Sequence, residues 1–144
     1  IYPAPNTRAN VLAFYSLWNQ VVGKIIDRFR PDVFHCADYH AAMAVLYIER
    51  PLPVVVALHN AEYQGGIDTQ QMGLPQVSWF ADMFNLSDRV TKNECMVDGT
   101  FNMLWPIIRY IKKHQRGYGI SAVSRSYAQE CFQKYSIFWG LPEL

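Results

Sequence analysis

Between Val11 and Phe29 apolar side chains recur at Val11, Phe14, Tyr15, Trp18, Val21, Val22, Ile25, Ile26 and Phe29, the three-to-four spacing of one face of an α-helix. The pattern predicts a long amphipathic helix with Asn10 at its N-cap, docked on a sheet. "FYSLW", Phe14 to Trp18, falls on this period and is expected in the core rather than as a sugar platform. After "RFRPD" the pattern changes: "VFHCADYH" opens as a short apolar strand and turns polar at once. Ala41 to Glu49 is apolar almost all round, which predicts a buried helix ended by the prolines of "RPLP".

"VVVALHN" is β-branched and uninterrupted, as expected of a central parallel strand covered on both faces. Beyond Gly65 and Gly66, the segments "LPQVSWFADMF", "SDRVTKNECMV" and "FNMLWPIIRYIKKH" read as two or three weaker helices, with Pro106 in the first turn of the last or kinking it. "GISAVS" predicts a further short buried strand. "RSYAQECFQKY" predicts a helix capped by Ser124 or Ser126; Ser126 with Gln129 has capping-box spacing. Helix, strand, helix, strand, helices, strand, helix is the alternation of an α/β domain with a parallel sheet. Right-handed crossovers then line up the strands' C-terminal ends along one edge, where open α/β sheets bind ligands.

Composition narrows the class. The chain has 144 residues, 51% of them hydrophobic and 15% aromatic, enough for one globular unit with a real core. Its net charge is +1, and the one dense basic cluster, Lys112, Lys113, His114 and Arg116, reads as a solvated helix C-terminus, so no nucleic-acid partner is expected. Cys36, Cys95 and Cys131 are odd in number and form no CxxC, which points to reduced thiols. No apolar run is long enough to span a bilayer. The first residue is not methionine and the chain stops at "FWGLPEL", so a segment of a longer protein is expected.

The chemistry collects at three strand ends: "HCADYH" at His35–His40, "HNAEYQG" at His59–Gly65 and "SAVSRSY" at Ser121–Tyr127. Three of the four histidines lie in the first two. A neutral imidazole donates or accepts, Asn60 does both and Asp38 accepts from hydroxyls. Tyr39 or Tyr63 can border a sugar face, and Gly65 and Gly66 let backbone amides approach a ligand. Together these residue types suit carbohydrate recognition. His35 and His40 also have plain structural readings, within the strand and as a cap of the next helix. His35 and Cys36 point to opposite faces of a strand, so no metal site is expected. The chain has no G-x-S-x-G, G-x-G-x-x-G or P-loop, so neither a serine hydrolase nor a nucleotide-cofactor fingerprint is expected, and no cofactor.

"PDVFHCADYHAA", "VVALHNAEYQG" and "GISAVSRSYAQE", in this order, resemble three segments in the N-terminal half of starch and bacterial glycogen synthases, the family 5 retaining glycosyltransferases. The wording of "YPAPNTRAN", "AFYSLWNQ", "HCADYH" and "LHNAEYQG" most resembles the synthase domain of fungal cell-wall α-1,3-glucan synthases. The resemblance implies a Rossmann-like parallel sheet belonging to the N-terminal domain of a GT-B glycosyltransferase, with residues 1–144 a single fragment of it. It implies transfer of glucose from a UDP-glucose donor to a growing α-glucan acceptor, with a C-terminal GT-B domain of the same parent chain as partner. That domain and the family's glycine-rich lysine loop are not in this sequence, so the fragment alone is expected to be inactive.

Carried over by position, the resemblance makes His59 the catalytic histidine that closes on the donor sugar. Asp38, His40, Asn60, Tyr63, Gln64, Gly65, Ser124 and Tyr127 become substrate-binding residues. Ala37 and Tyr39 depart from the family's histidine and tryptophan. The resemblance also places the domain on the cytosolic face of the plasma membrane, as part of a membrane protein. A synthase of α-1,4 chains and a non-catalytic carbohydrate-binding scaffold are the alternatives.

Overall fold

The computed structural model describes residues 8–69 and 77–142. Helix α1 spans Arg8–Phe29, so Asn10 lies inside it rather than capping it. The first parallel strand, β1, is Phe34–Ala37, and β2 is Val54–Leu58. Between them the expected helix is a 3₁₀ turn, Ala42–Leu46. Ala42, Met43, Ala44 and Val45 are buried as expected, but the prolines at 51 and 53 leave room for little more than a turn before β2. A short strand β3, Gly66–Asp68, precedes helix α2, Val77–Phe84. Then come the single turn α3, Asp88–Val90, a π-helical turn over Thr91–Cys95, and strands β4, Met96–Val97, and β5, Thr100–Asn102.

These strands replace helix expected at Met96–Val97 and Phe101–Asn102. Gly99, at φ +79°, closes the β4–β5 hairpin, and β5 pairs antiparallel with both β3 and β4. Helix α4, Trp105–Gln115, carries Pro106 in its first turn, where a missing N–H costs nothing. Strand β6, Ile120–Ala122, leads into α5, Arg125–Lys134, capped by Ser124 rather than Ser126. A 3₁₀ turn, Ser136–Phe138, follows.

The main sheet is parallel with order β1-β2-β6, which puts the β-branched strand at the centre as its sequence requires. Cys36, Val54, Val56, Leu58 and Ile120 point to one face. They pack against Ala42 and Val45 of the 3₁₀ turn and against Ile107, Ile108 and Ile111 of α4. On the other face His35, Ala37 and Ser121 are exposed, and Val55 and Ala57 half-buried. Among the described residues the sheet is therefore covered on one face, not both. A second cluster joins Leu12 and Tyr15 of α1 to Phe80, Phe84 and Phe101. Phe80 and Phe101 stack at 4.3 Å, and burial of each such ring contributes roughly 1.5–3 kcal/mol. Of "FYSLW" only Tyr15 and Ser16 are buried; Phe14, Leu17 and Trp18 are exposed.

Two side chains stand in for backbone. Gln115, at the end of α4, accepts from the Val54 N–H at 2.7 Å and donates to the Val54 carbonyl at 2.9 Å. Lys112 is not simply solvated: its ammonium donates to the Ile137 and Trp139 carbonyls and lies over the Trp105 ring. No helix among the described residues is long and apolar enough to cross a membrane.

Candidate functional site

The C-terminal ends of β1, β2 and β6 share one edge, because all three strands run the same way. At this edge the chain leaves β2 as "HNAEYQG". Asp38, in the left-handed region at φ +50°, turns its carboxylate across from the end of β1. Its Oδ1 accepts the N–H of His59 at 2.8 Å and of Asn60 at 3.0 Å. The next amide, Ala61, donates to the Tyr127 hydroxyl at 2.7 Å. Tyr127 is placed by the first turn of α5, where Ser124 Oγ accepts the Tyr127 N–H at 3.2 Å. Three consecutive backbone N–H groups at the tip of β2 are thus held by side chains from the two neighbouring strand ends.

This arrangement decides what the tip offers. With its amides turned to Asp38 and Tyr127, it presents no row of N–H groups of the kind that cradles phosphate. It presents the exposed side chains of His59 and Asn60 instead, groups that exchange hydrogen bonds with hydroxyls. Asp38, Ser124 and Tyr127 therefore act first as supports of the edge. Burial is the main cause raising the Tyr127 phenol above its ordinary range, opposed by the bond from Ala61, so the hydroxyl stays protonated.

Gln64 and Gly65 are likewise built in. Gln64 Nε2 donates to the Ala61 carbonyl at 3.0 Å and its Oε1 accepts from Asn102 Nδ2 at 2.7 Å. Gly65 sits at φ +64°, and a Cβ there would come within 2.6–2.9 Å of Met103 and Tyr39. The left-handed backbone and this close packing both demand glycine at 65. Asn102, which the sequence did not single out, is buried and ties this loop to α4: its Oδ1 accepts the N–H groups of Leu104 and Trp105. The signal was available in "FNMLWP", an asparagine three residues before the helix start at Trp105, the pattern of an Asx turn leading into a helix.

A cleft of about 570 Å³ opens beside this loop, lined by Tyr39, Tyr63, Gln64, Gly65, Asn102 and Tyr135 among others. Tyr63 is 67% exposed. His59, Asn60 and Asp38 border the sheet edge and are not in the cleft wall. His40 stacks on Tyr39 at 4.2 Å, and its carbonyl accepts from Asn19; it does not cap the 3₁₀ turn, whose first residue has no side-chain cap. The structure thus brings His59, Asn60, Asp38 and Tyr127 together, and places Tyr63, Gln64 and Gly65 on the neighbouring cleft.

No three His, Cys, Asp or Glu residues converge on a possible metal position among the described residues. All three cysteines are free and buried. Burial, reinforced by Asp38, pushes the Cys36 thiol from 9.0 up to about 12 against an opposing backbone hydrogen bond, which removes it as a nucleophile.

Comparison with known proteins gives these features a context. The starch synthase catalytic domain matches residues 1–143. The cell wall alpha-1,3-glucan synthase mok12 of Schizosaccharomyces pombe is 39% identical over 129 residues, 89% of this chain and 5% of that protein. Its relative mok13, from the same organism, is 36% identical over 146 residues, 99% of this chain and 6% of that protein. Glycogen synthase 2 of Rhizobium meliloti is 30% identical over 77 residues, 49% of this chain and 16% of that protein. The chain accordingly spans only 5–6% of the length of these alpha-glucan synthases. No solved structure matches it. With the family match running from the first residue to the last but one, the chain belongs to the starch synthase catalytic domain family.

Proposed function

We propose that this chain forms the sugar-side wall of a retaining glucosyltransferase that moves glucose from UDP-glucose to a growing α-1,3-glucan of the fungal cell wall. The observation that supports it most directly is the clamp on the β2 tip. Asp38 and Tyr127 consume the amides of residues 59–61, fixing the tip so that His59 and Asn60 face outward. Transfer from a sugar diphosphate generates an electron-poor, oxocarbenium-like sugar and a charged leaving group. A wall of imidazole and carboxamide addresses the sugar. The leaving group requires more cationic and amide donors than the single exposed Arg125 at the start of α5, which fits a GT-B arrangement in which a C-terminal domain supplies them.

In this reading His59 stabilises the transferring sugar, while Asn60 and Tyr63 meet its hydroxyls and the acceptor. Asp38, whose Oδ2 takes no part in the amide clamp, combines support with a hydroxyl contact. His40, Gln64, Gly65, Ser124 and Tyr127 shape the wall. The fragment alone is inactive, and the parent acts at the cytosolic face of the plasma membrane.

The test is to supply the complete parent protein with labelled UDP-glucose, with and without His59→Ala, and to determine the linkage of the polymer. α-1,3-Glucan from the wild type and a loss of at least about a hundredfold in the variant, ~2.7 kcal/mol of transition-state stabilisation, are expected. An α-1,4 product would move the assignment to a starch or glycogen synthase. Binding of glucan without any polymer would make the domain a scaffold.

A further inference from the structure

The cleft beside the β2 loop holds groups that the clamp on the tip does not use. Its wall includes Glu62, Tyr63 and Gln64, which follow His59 and Asn60 in the chain. The Tyr63 N–H donates to the Asn60 carbonyl at 3.1 Å, so the tip turns directly into the cleft wall. A polymer leaving His59 on this side crosses Tyr63 first.

Charge decides the class of occupant. Among the described residues that line the cleft, the charged ones are Glu62, Asp98 and Lys134. The Lys134 ammonium lies 3.9 Å from the Glu130 carboxylate, which is outside the wall. Two carboxylates against one shared cation disfavour phosphate, and with it a nucleotide. A neutral, hydroxyl-rich ligand suits the wall better. The volume of about 570 Å³ admits a short run of sugar rings.

The β4–β5 hairpin supplies a fixed polar contact. Asp98 and Gly99 form its two-residue turn, at φ +48° and +79°, the left-handed pair of a type I′ hairpin. Thr69 Oγ1 donates to the Gly99 carbonyl at 2.9 Å and ties the turn to the chain just past β3. Asp98 is exposed, and among the described residues no hydrogen bond or ion pair engages its carboxylate. The carboxamides of Gln64 and Asn102, by contrast, are spent on each other. Aromatic rings complete the wall. Tyr39 is held by His40 at 4.2 Å and by Tyr15 at 5.7 Å, whereas the exposed ring of Tyr63 is open to a ligand.

We infer that this cleft holds the glucan behind its reacting end, with Tyr63 against a sugar face and the Asp98 carboxylate accepting from hydroxyls, so that Asp98 selects acceptors by their length. A carboxylate forms charge-assisted hydrogen bonds with such donors, and a rigid hairpin makes them without ordering a loop. Short acceptors end before Asp98; longer ones gain the contact. That the chain is a glucan rests on the function proposed above, whereas its route over Tyr63 to Asp98 rests on the cleft.

The complete parent protein tests it, with α-1,3- and α-1,4-linked glucan oligosaccharides of increasing length as probes. Asp98→Asn keeps a residue suited to the left-handed turn and removes the charge. Asp98→Asn and Tyr63→Ala should each weaken binding of the longer oligosaccharides at least about fivefold in equilibrium dialysis without donor. KM for the long acceptor should rise by a similar factor, while KM for UDP-glucose moves less than about twofold. Gly99→Ala strains the same hairpin without touching the carboxylate and should leave binding within about twofold. If both variants bind long oligosaccharides as the wild type does, and the wild type makes α-1,3-glucan, the inference fails and the proposed function stands. If the wild type makes α-1,4-glucan and the variants lose its longer oligosaccharides, the linkage assignment fails and the inference stands. An equal loss in Gly99→Ala would reduce Asp98 to a turn residue and overturn the inference.

Discussion

Gly65→Ala separates the two reasons for a glycine beside the cleft. At φ +64° an L-residue carries a left-handed penalty of roughly 1–2 kcal/mol. The new Cβ would also lie 2.6 Å from Met103 Cε, 2.7 Å from Tyr39 Cδ2 and 2.9 Å from Met103 Cβ. The Met103 methyl is the end of a flexible side chain, but the residue is only 4% exposed, so relief by rotation is limited and overpacking adds roughly 1–3 kcal/mol. The expected total is ~2–5 kcal/mol. Two controls share parts of the perturbation. Gly99→Ala has φ +79° but open space around it, and should cost only the backbone part, ~1–2 kcal/mol. Gly66→Ala meets nothing closer than Thr100 Cγ2 at 3.5 Å and should stay within about 0.5 kcal/mol of wild type. Pulse proteolysis of the intact protein in increasing urea, read at this domain, gives the midpoints. Coincident midpoints for Gly65→Ala and Gly99→Ala would refute the packing argument, and a neutral Gly65→Ala would refute both parts.

Tyr127→Phe leaves the buried Ala61 N–H unpaired and should cost about 1–3 kcal/mol, with faster amide exchange at residues 59–61 as its signature. Asp38→Asn keeps an acceptor for the His59 and Asn60 amides whereas Asp38→Ala does not, so transferase turnover of the parent should fall further in the alanine variant; equal losses would remove the positioning role. Cys36 and Cys95 are both raised from 9.0 to about 12, mainly by burial. The unfolded chain releases these protons first, so their contribution is complete below pH 9 and declines as pH rises from 9 to 12. Replacing either with alanine should flatten the loss of stability across that window by about 1.4 kcal/mol per pH unit, measured by urea midpoints at stepped pH. Asn102→Ala should cost about 1–2 kcal/mol through the lost cap on α4 and loosen Gln64, visible as increased exchange at residues 103–105.

Long, periodic elements were legible in the sequence. The apolar rhythm of Val11–Phe29 announces its helix by spacing, although Phe14, Trp18, Val21, Ile25 and Phe29 are exposed; the valine run before Leu58 and the short "GIS" strand announce theirs through buried β-branched residues. The β3-β5-β4 sheet was not legible. Its strands have two or three residues, too few for a period, and are held by a glycine hairpin and by Phe101 packing under α2. Ser126 and Gln129 have the spacing of a capping box, yet Ser124 caps α5, since the chain enters the helix from β6 with Ser124 extended at φ −158°. The candidate site was found as a set of residues, but their division of labour was not. Nothing in "HCADYH" reveals that Asp38 reaches across to amides 21 and 22 residues away. Side-chain-to-backbone bonds of that range depend on which strands become neighbours, and only the assembled sheet shows it.

The carboxamide of Gln115 behaves as a displaced peptide group, an extra rung made of side chain at the head of β2. It satisfies both backbone groups of Val54, while the first true rung from the β6 side, the Gly119 carbonyl with the Val56 N–H at 2.7 Å, comes one pleat later. β6 can therefore be only three residues long, because the end of α4 holds the head of β2 beside it. A slip of one residue would strand both Val54 groups, so the helix end works as a register pin. The alignment of the His59 and Ser124 strand ends is set at the opposite end of the sheet, by an amide that never approaches the cleft.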